Sequence, residues 1–292
     1  STLARSRDLR FAMTPPALPP STRIAFIGGG NMASAIIGGL IRQGLPATQV
    51  MVVEPFEATR ALLNSQHGVQ AHPAPGPFLA DADLIVWAVK PQSFREAAAP
   101  VAPFAGRALQ LSVMAGIRAA DIAAASGSAR IVRCMPNTPA LVGRGMTGLF
   151  DAAGAAADRQ LAETVIRTTG DALWVEREDQ LDAVTALSGS GPAYVFYFLE
   201  AMQQAGVELG LTPEQARALA VGTFAGGAHL AAQSAEPLAT LRERVTSKGG
   251  TTHAALTALE QAGVKAAFVK AMHAACVRAA ELGDEFGRTP PH

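Results

Sequence analysis

The spacing of apolar and polar positions changes character partway along this chain. From Arg23 onward, short apolar, β-branched runs at residues 23–27, 50–53, 84–89, 108–112 and 131–133 predict strands. Between them, residues 31–43, 55–66, 93–101 and 119–126 carry helical periodicity, and Gly44 stands where a helix C-cap is wanted. Strands alternating with helices in this way imply parallel pairing through crossover connections. Two further strands, 147–150 and 172–175, bracket an alanine-rich helix at 153–168.

After about Glu176 the strand signal stops. Helices at 180–187, 192–209, 213–233, 238–244, 251–262 and 264–282 follow, separated by Gly, Ser and Pro. The predicted fold class is therefore α/β: a Rossmann-like, doubly wound, mostly parallel sheet, then an all-helical dimerisation domain that covers its apolar face with a second copy. The expected organisation is a disordered lead at 1–20, a dinucleotide-binding domain at 21–176, a helical substrate and dimerisation domain at 177–283, and a frayed tail at 284–292. Met13 is a candidate natural start within the lead.

Composition narrows the function classes. The chain has 292 residues, 49% apolar but only 5% aromatic, which suits closely packed helices more than a bulky sandwich core. Its formal net charge is +0 with Lys and Arg scattered, so no nucleic-acid or anionic-membrane footprint is present. No apolar run has the length of a spanning helix. Cys134 and Cys276 form no CxxC, and the histidines show no metal-ligand spacing. A reduced, cytoplasmic, metal-free protein is expected.

Two glycine-rich segments carry the chemistry. Gly28-Gly29-Gly30-Asn31-Met32-Ala33 follows Ile27 at the end of the first strand and opens a helix, the context that gives a GxGxxA pattern meaning. Gly28 permits the tight turn, Gly30 lets a pyrophosphate approach the backbone, Ala33 allows close helix–strand packing, and the helix N-terminus faces the phosphates. Glu54, ending the second strand, is placed to accept hydrogen bonds from the adenosine ribose. Alone it favours NADH, with Arg60 available to compensate for a 2′-phosphate, so NADPH and NADH both stay open. Ala88-Val89-Lys90-Pro91 should lie beside the cofactor at the carboxyl edge of the sheet. Asn137 and Thr138, fixed between Pro136 and Pro139, face the nicotinamide side. Cys134 reads as packed core, not as a nucleophile.

The second segment is 245–256, where Ser247-Lys248-Gly249-Gly250-Thr251-Thr252 runs into a helix. First-turn amides and a positive dipole end can hold a carboxylate without an arginine, with hydroxyls from Ser247, Thr251 and Thr252 beside it. The competing reading is an ordinary N-cap made by one threonine. A third break, Ser188-Gly189-Ser190-Gly191-Pro192, reads as close packing.

Taken in order, Gly-x-Gly-Asn-Met, Ala-Val-Lys-Pro at 88–91, Arg-Cys-Met-Pro-Asn-Thr-Pro at 133–139, Ala-Leu-Ser-Gly-Ser-Gly-Pro-Ala-Tyr at 186–194 and Val-Thr-Ser-Lys-Gly-Gly-Thr-Thr at 245–252 resemble pyrroline-5-carboxylate reductase. The resemblance spans Arg23 to about Leu282. It implies reduction of pyrroline-5-carboxylate to proline with NADPH or NADH, and a helical domain that interlocks in a homodimer, sometimes built into a decamer. It also implies that Thr252 contacts the ring nitrogen, while the amides of Gly249, Gly250 and Thr251 hold the carboxylate. Many members carry proline at the position of Lys248 and asparagine at that of Arg244. Related β-hydroxyacid dehydrogenases use a lysine early in the first long interdomain helix, and residues 180–209 contain none. A six-membered cyclic imine as substrate, and a cofactor-binding sensor without catalysis, are the remaining alternatives.

Overall fold

β1 (Ile24–Ile27) shows how the sheet is buried on both faces. In the computed structural model, which describes residues 17–288, Ile24 and Phe26 point to one side and Ala25 and Ile27 to the other, all of them buried. The first pair joins a core with Ile36, Ile37, Leu40 and Leu63; the second joins one with Trp87, Phe94, Ile117 and Ile122. Strands covered on both faces read as continuous apolar runs, which is the parallel-sheet signature in the sequence.

The other strands are β2 (Val50–Val53), β3 (Gln70–His72), β4 (Leu84–Trp87), β5 (Leu109–Ser112), β6 (Ile131–Met135), β7 (Gly145–Asp151) and β8 (Gly170–Trp174). The helices are α1 (Asn31–Arg42), α2 (Glu57–His67), α3 (Phe94–Ala98), α4 (Ala102–Ala105), α5 (Ala119–Ser126), α6 (Ala156–Ile166), α7 (Gln180–Val184), α8 (Gly191–Glu208), α9 (Pro213–Gln233), α10 (Leu238–Arg244), α11 (Thr251–Gln261) and α12 (Val264–Arg288). The eight strands form one sheet in the order β3-β2-β1-β4-β5-β6-β7-β8. Pairing is parallel except between β6 and β7. The link from Pro136 to Arg144 holds only a short 3₁₀ turn, too little chain for a crossover, so β7 reverses direction.

The doubly wound, mostly parallel sheet and the following helices are as expected, with four differences. β3 is a short edge strand of Gln70, Ala71 and His72, without the β-branched run that would announce it. The helix expected at 93–101 is cut in two around Pro100, which has no amide to donate to the helical ladder. The segment after β8 belongs with the sheet: the described residues divide into a unit of 17–192 with 273–288 and a unit of 193–272. The strands end at Trp174, beside the change expected at 176/177, but α7 and its continuation remain tied to the sheet, where Arg133 on β6 donates to Glu178 at 2.7 Å and Asn137 to Ser188 O at 3.0 Å. Finally, α12 stays helical through Arg288, so 284–288 is not a frayed tail; Arg95 donates to Phe286 O at 3.0 Å and Arg118 pairs with Asp284 at 2.8 Å. Residues 1–16 of the expected lead, Met13 among them, and 289–292 of the expected tail lie outside the described residues.

One buried polar group is fully provided for. Gln110 on β5 is 0% exposed, accepts from Trp87 Nε1 at 2.8 Å and donates to Ala105 O and Ala108 O, both at 3.0 Å. Among the described residues, no helix is long and apolar enough to cross a membrane.

Candidate active site

At the carboxyl edge of β1 the chain turns through Gly28, whose φ of 96° is left-handed backbone that other residues adopt only under strain. The turn is also crowded from behind: a methyl group on Gly28 would sit 2.5 Å from Ala88 O. Gly28 N–H donates to Val53 O at 2.9 Å, and Ala88 N–H to Ile27 O at 2.8 Å, so β2 and β4 clamp the turn from both sides. Gly29 N–H donates to Glu54 Oε2 at 2.9 Å. Gly30 differs, because a methyl there would meet no protein atom within 4 Å. It caps α1 without a side-chain hydrogen bond. The first helical bond runs from Ser34 N–H to Gly30 O, so the amides of Asn31, Met32 and Ala33 precede the ladder. A glycine cradle open only at Gly30, at the positive end of a helix, fits the pyrophosphate of a dinucleotide. Ala33 is fully buried beneath it.

Glu54 is 6% exposed, and its second oxygen accepts from Phe56 N–H at 2.9 Å. Arg60 Nη1 donates to Glu54 O at 2.9 Å and to Pro55 O at 2.7 Å. Ala88 and Val89 are half-buried in the turn after β4, and the exposed Lys90 precedes a 3₁₀ turn that begins at Pro91. Asn137 holds two pieces of backbone: its Nδ2 donates to Ser188 O, and its Oδ1 accepts from Met146 N–H at 2.9 Å. Thr138 is exposed. Cys134 is 2% exposed, and burial pushes its thiol far above the usual range, so it is packed core.

The Ser188 break is a π-helical turn, Thr185–Gly189, closed by Ser190 N–H donating to Thr185 O at 2.8 Å. A methyl on Gly189 would lie 2.7 Å from Met135 Cε, which is the close packing its sequence suggests. The sequence reading missed Glu178. It accepts from Arg133 Nη1 and, at 2.6 Å, from Ala119 N–H at the start of α5. The available signal was Arg133 itself, a charge inside the apolar run of β6 that is 6% exposed and so needs a partner.

A cavity of about 490 Å³ opens elsewhere, among Thr22, Asp83, Arg107, Arg130 and Asp158. These residues precede β1, β4, β5 and β6 or begin α6, so it lies at the amino edge of the sheet, where open α/β folds do not bind their cofactors. Its Arg130 is already paired with Asp158 at 2.6 Å.

The 193–272 unit holds the second glycine segment. α11 is capped by Gly250 with no side-chain hydrogen bond, so a threonine cap is not what the hydroxyls are for. Gly249 has a φ of 76°, and a methyl on it would meet nothing within 4 Å. Gly250 N–H closes the turn onto Ser247 O at 3.0 Å, and the first helical bond runs from Ala254 N–H to Gly250 O at 3.1 Å. The open amides are thus those of Thr251, Thr252 and His253, and the Gly250 amide is engaged within the loop. Ser247, Lys248, Gly249, Thr251 and Thr252 are exposed. Arg244 pairs with Glu236 at 2.5 Å, so its charge is balanced within the unit.

Comparisons with known proteins agree with both halves. The family model for pyrroline-5-carboxylate reductase dimerisation matches residues 178–282, and that for NADP oxidoreductase, coenzyme F420-dependent, matches 23–116. Pyrroline-5-carboxylate reductase of Pseudomonas aeruginosa is 43% identical over 91% of this chain and 98% of its own length; that of Haemophilus influenzae is 41% identical over 89% and 97%. Among solved structures, the Coxiella burnetii reductase superposes with a TM-score of 0.85 at 38% identity, covering 90% of this chain and 98% of that one. The Plasmodium falciparum pyrroline carboxylate reductase, with NADP bound, gives 0.79 at 27%, covering 90% and 99%. By its dinucleotide turn, its hydroxyl loop and this extent of similarity, the chain belongs to the pyrroline-5-carboxylate reductase family.

Proposed function

We propose that this protein reduces 1-pyrroline-5-carboxylate to L-proline with NADPH or NADH, the last step of proline biosynthesis. The observation that carries the substrate half is the start of α11, with a glycine cap, open first-turn amides and three hydroxyls that no cap requires. The amides of Thr251 and Thr252 hold the carboxylate at the positive end of the helix. Gly249 and Gly250 keep side chains away from it, and Ser247 adds a hydroxyl. Thr252 hydrogen-bonds the ring nitrogen, which makes the adjacent carbon electrophilic. A dinucleotide held at Gly28 to Ala33, with Glu54, Ala88 to Pro91, Asn137 and Thr138 around it, supplies the hydride when bound. The imine is basic enough to be partly protonated in water, so the protein's contribution is positioning, a mechanism that supplies on the order of 7–11 kcal/mol at best.

The 193–272 unit exposes large apolar side chains, among them Phe196, Tyr197, Leu219, Leu230 and Val245. Their number supports a homodimer, and in a larger form a decamer, built on this helical surface. The protein works in the cytoplasm on a small molecule, with neither nucleic acid nor membrane as partner. The test is Thr252→Ala. Loss of a hydrogen bond to the reacting imine should lower kcat about 10- to 100-fold while the melting temperature holds. Wild-type turnover in that variant would sink the role given to Thr252, and no consumption of NADH or NADPH with pyrroline-5-carboxylate would sink the activity.

A further inference from the structure

Glu54 does more than end a strand. Its carboxylate bridges Gly29 N–H and Phe56 N–H, both at 2.9 Å, in a position 6% exposed. A methyl on Gly29 would lie 3.3 Å from Glu54 Oε2, so carboxylate and glycine turn are packed against each other. Swinging the side chain away would leave two backbone amides without their acceptor. Each oxygen still has a lone pair for a second donor, and an acceptor-only group welcomes ribose hydroxyls and repels a phosphate. The neighbouring Arg60 is turned toward the backbone, where its Nη1 donates to the carbonyls of Glu54 and Pro55, and it makes no ion pair with the Glu54 carboxylate in these bonds.

We propose that Glu54 is a fixed latch of the glycine turn and that, because it cannot withdraw, it makes this reductase prefer NADH to NADPH. The proposal rests on the cofactor site assigned above. Glu54→Gln removes the charge and keeps the side-chain length but retains an acceptor for only one of the two amides, so it loses the repulsion and part of the latch, whereas Glu54→Ala loses both acceptors and weakens both cofactors.

The experiment is calorimetric titration of the full chain with ADP-ribose and with its 2′-phosphorylated form, which reads the site without any turnover. The wild type should bind ADP-ribose more tightly by on the order of tenfold or more. Glu54→Gln should bring the two affinities to within about threefold of each other. Equal affinities in the wild type, or tighter binding of the 2′-phosphorylated probe, would overturn the preference and leave the reductase reading standing. Arg60→Ala decides the matter even where Glu54→Gln fails to fold. A selective loss of the phosphorylated probe would show that Arg60 serves a 2′-phosphate and overturn the proposal; a conserved ratio supports it. Binding of neither probe would overturn the cofactor site along with the preference.

Discussion

Helices α1 and α11 both start on a glycine with extended backbone, Gly30 at ψ −169° and Gly250 at ψ −178°, and both leave first-turn amides open. Their supports differ. The turn before α1 is clamped by Val53 O, Ala88 and the Glu54 carboxylate, whereas the loop before α11 is closed by its own Ser247 and lies exposed. A third start, that of α9, is fully capped: Thr212 and Gln215 exchange hydrogen bonds at 3.2 and 3.0 Å in a capping box. The difference is between ends finished for stability and ends left open for a ligand. Among the open ones, it is between a rigid cradle for a large cofactor and a local loop for a small acid.

Substitutions can break this comparison in order of effect. Gly28→Ala forces a left-handed φ on alanine and drives its methyl into Ala88 O, so chemical denaturation should register a loss above about 2 kcal/mol. Unchanged stability would mean that the turn is not clamped. Gly30→Ala is its control. The added methyl meets no protein atom, so folding should survive while NADH binding, followed by fluorescence, falls at least about tenfold. Full affinity would place the pyrophosphate elsewhere. On α9, Thr212→Ala should cost about 1 kcal/mol without touching cofactor affinity, in contrast to Thr252→Ala, which should touch turnover only.

The smallest effect concerns His67, whose Nε2 lies 2.8 Å from Ser34 Oγ on α1. Burial, then the charge of Arg42, lowers its pKa from the usual 6.5. The folded state therefore binds the proton less readily than the unfolded one. The resulting stability is fully present above pH 6.5 and declines as pH falls through the lowered value. His67→Gln should flatten that part of the denaturation profile; an identical slope would remove His67 as its source.

Much of this was legible in the residues. β2 and α5 fall where periodicity predicts them, as do α9 and α10, helped by Gly127 stopping α5, Pro213 opening α9 and Pro237 preceding α10. β3 was hidden by being short and polar, and the split between α3 and α4 by a proline inside an otherwise helical run. In the site, the two glycine segments stood out because glycine and hydroxyl residues cluster there beyond what a turn needs. The partners of Asn137 and Glu178 did not, since hydrogen bonds at sequence separations of 51 and 45 leave no periodic trace.

The sequence by itself determined most of the alternation of strands and helices, the two glycine-started helices and the carboxylate placed at the end of β2, because these follow from local backbone preferences and short-range spacing. Only the tertiary structure decided that Gly250 and not a threonine caps α11, that the Gly250 amide is engaged, and that Glu54 is locked between two amides. Those outcomes depend on which groups the folded chain brings within about 3 Å of one another, a distance at which hydrogen bonds form or are lost.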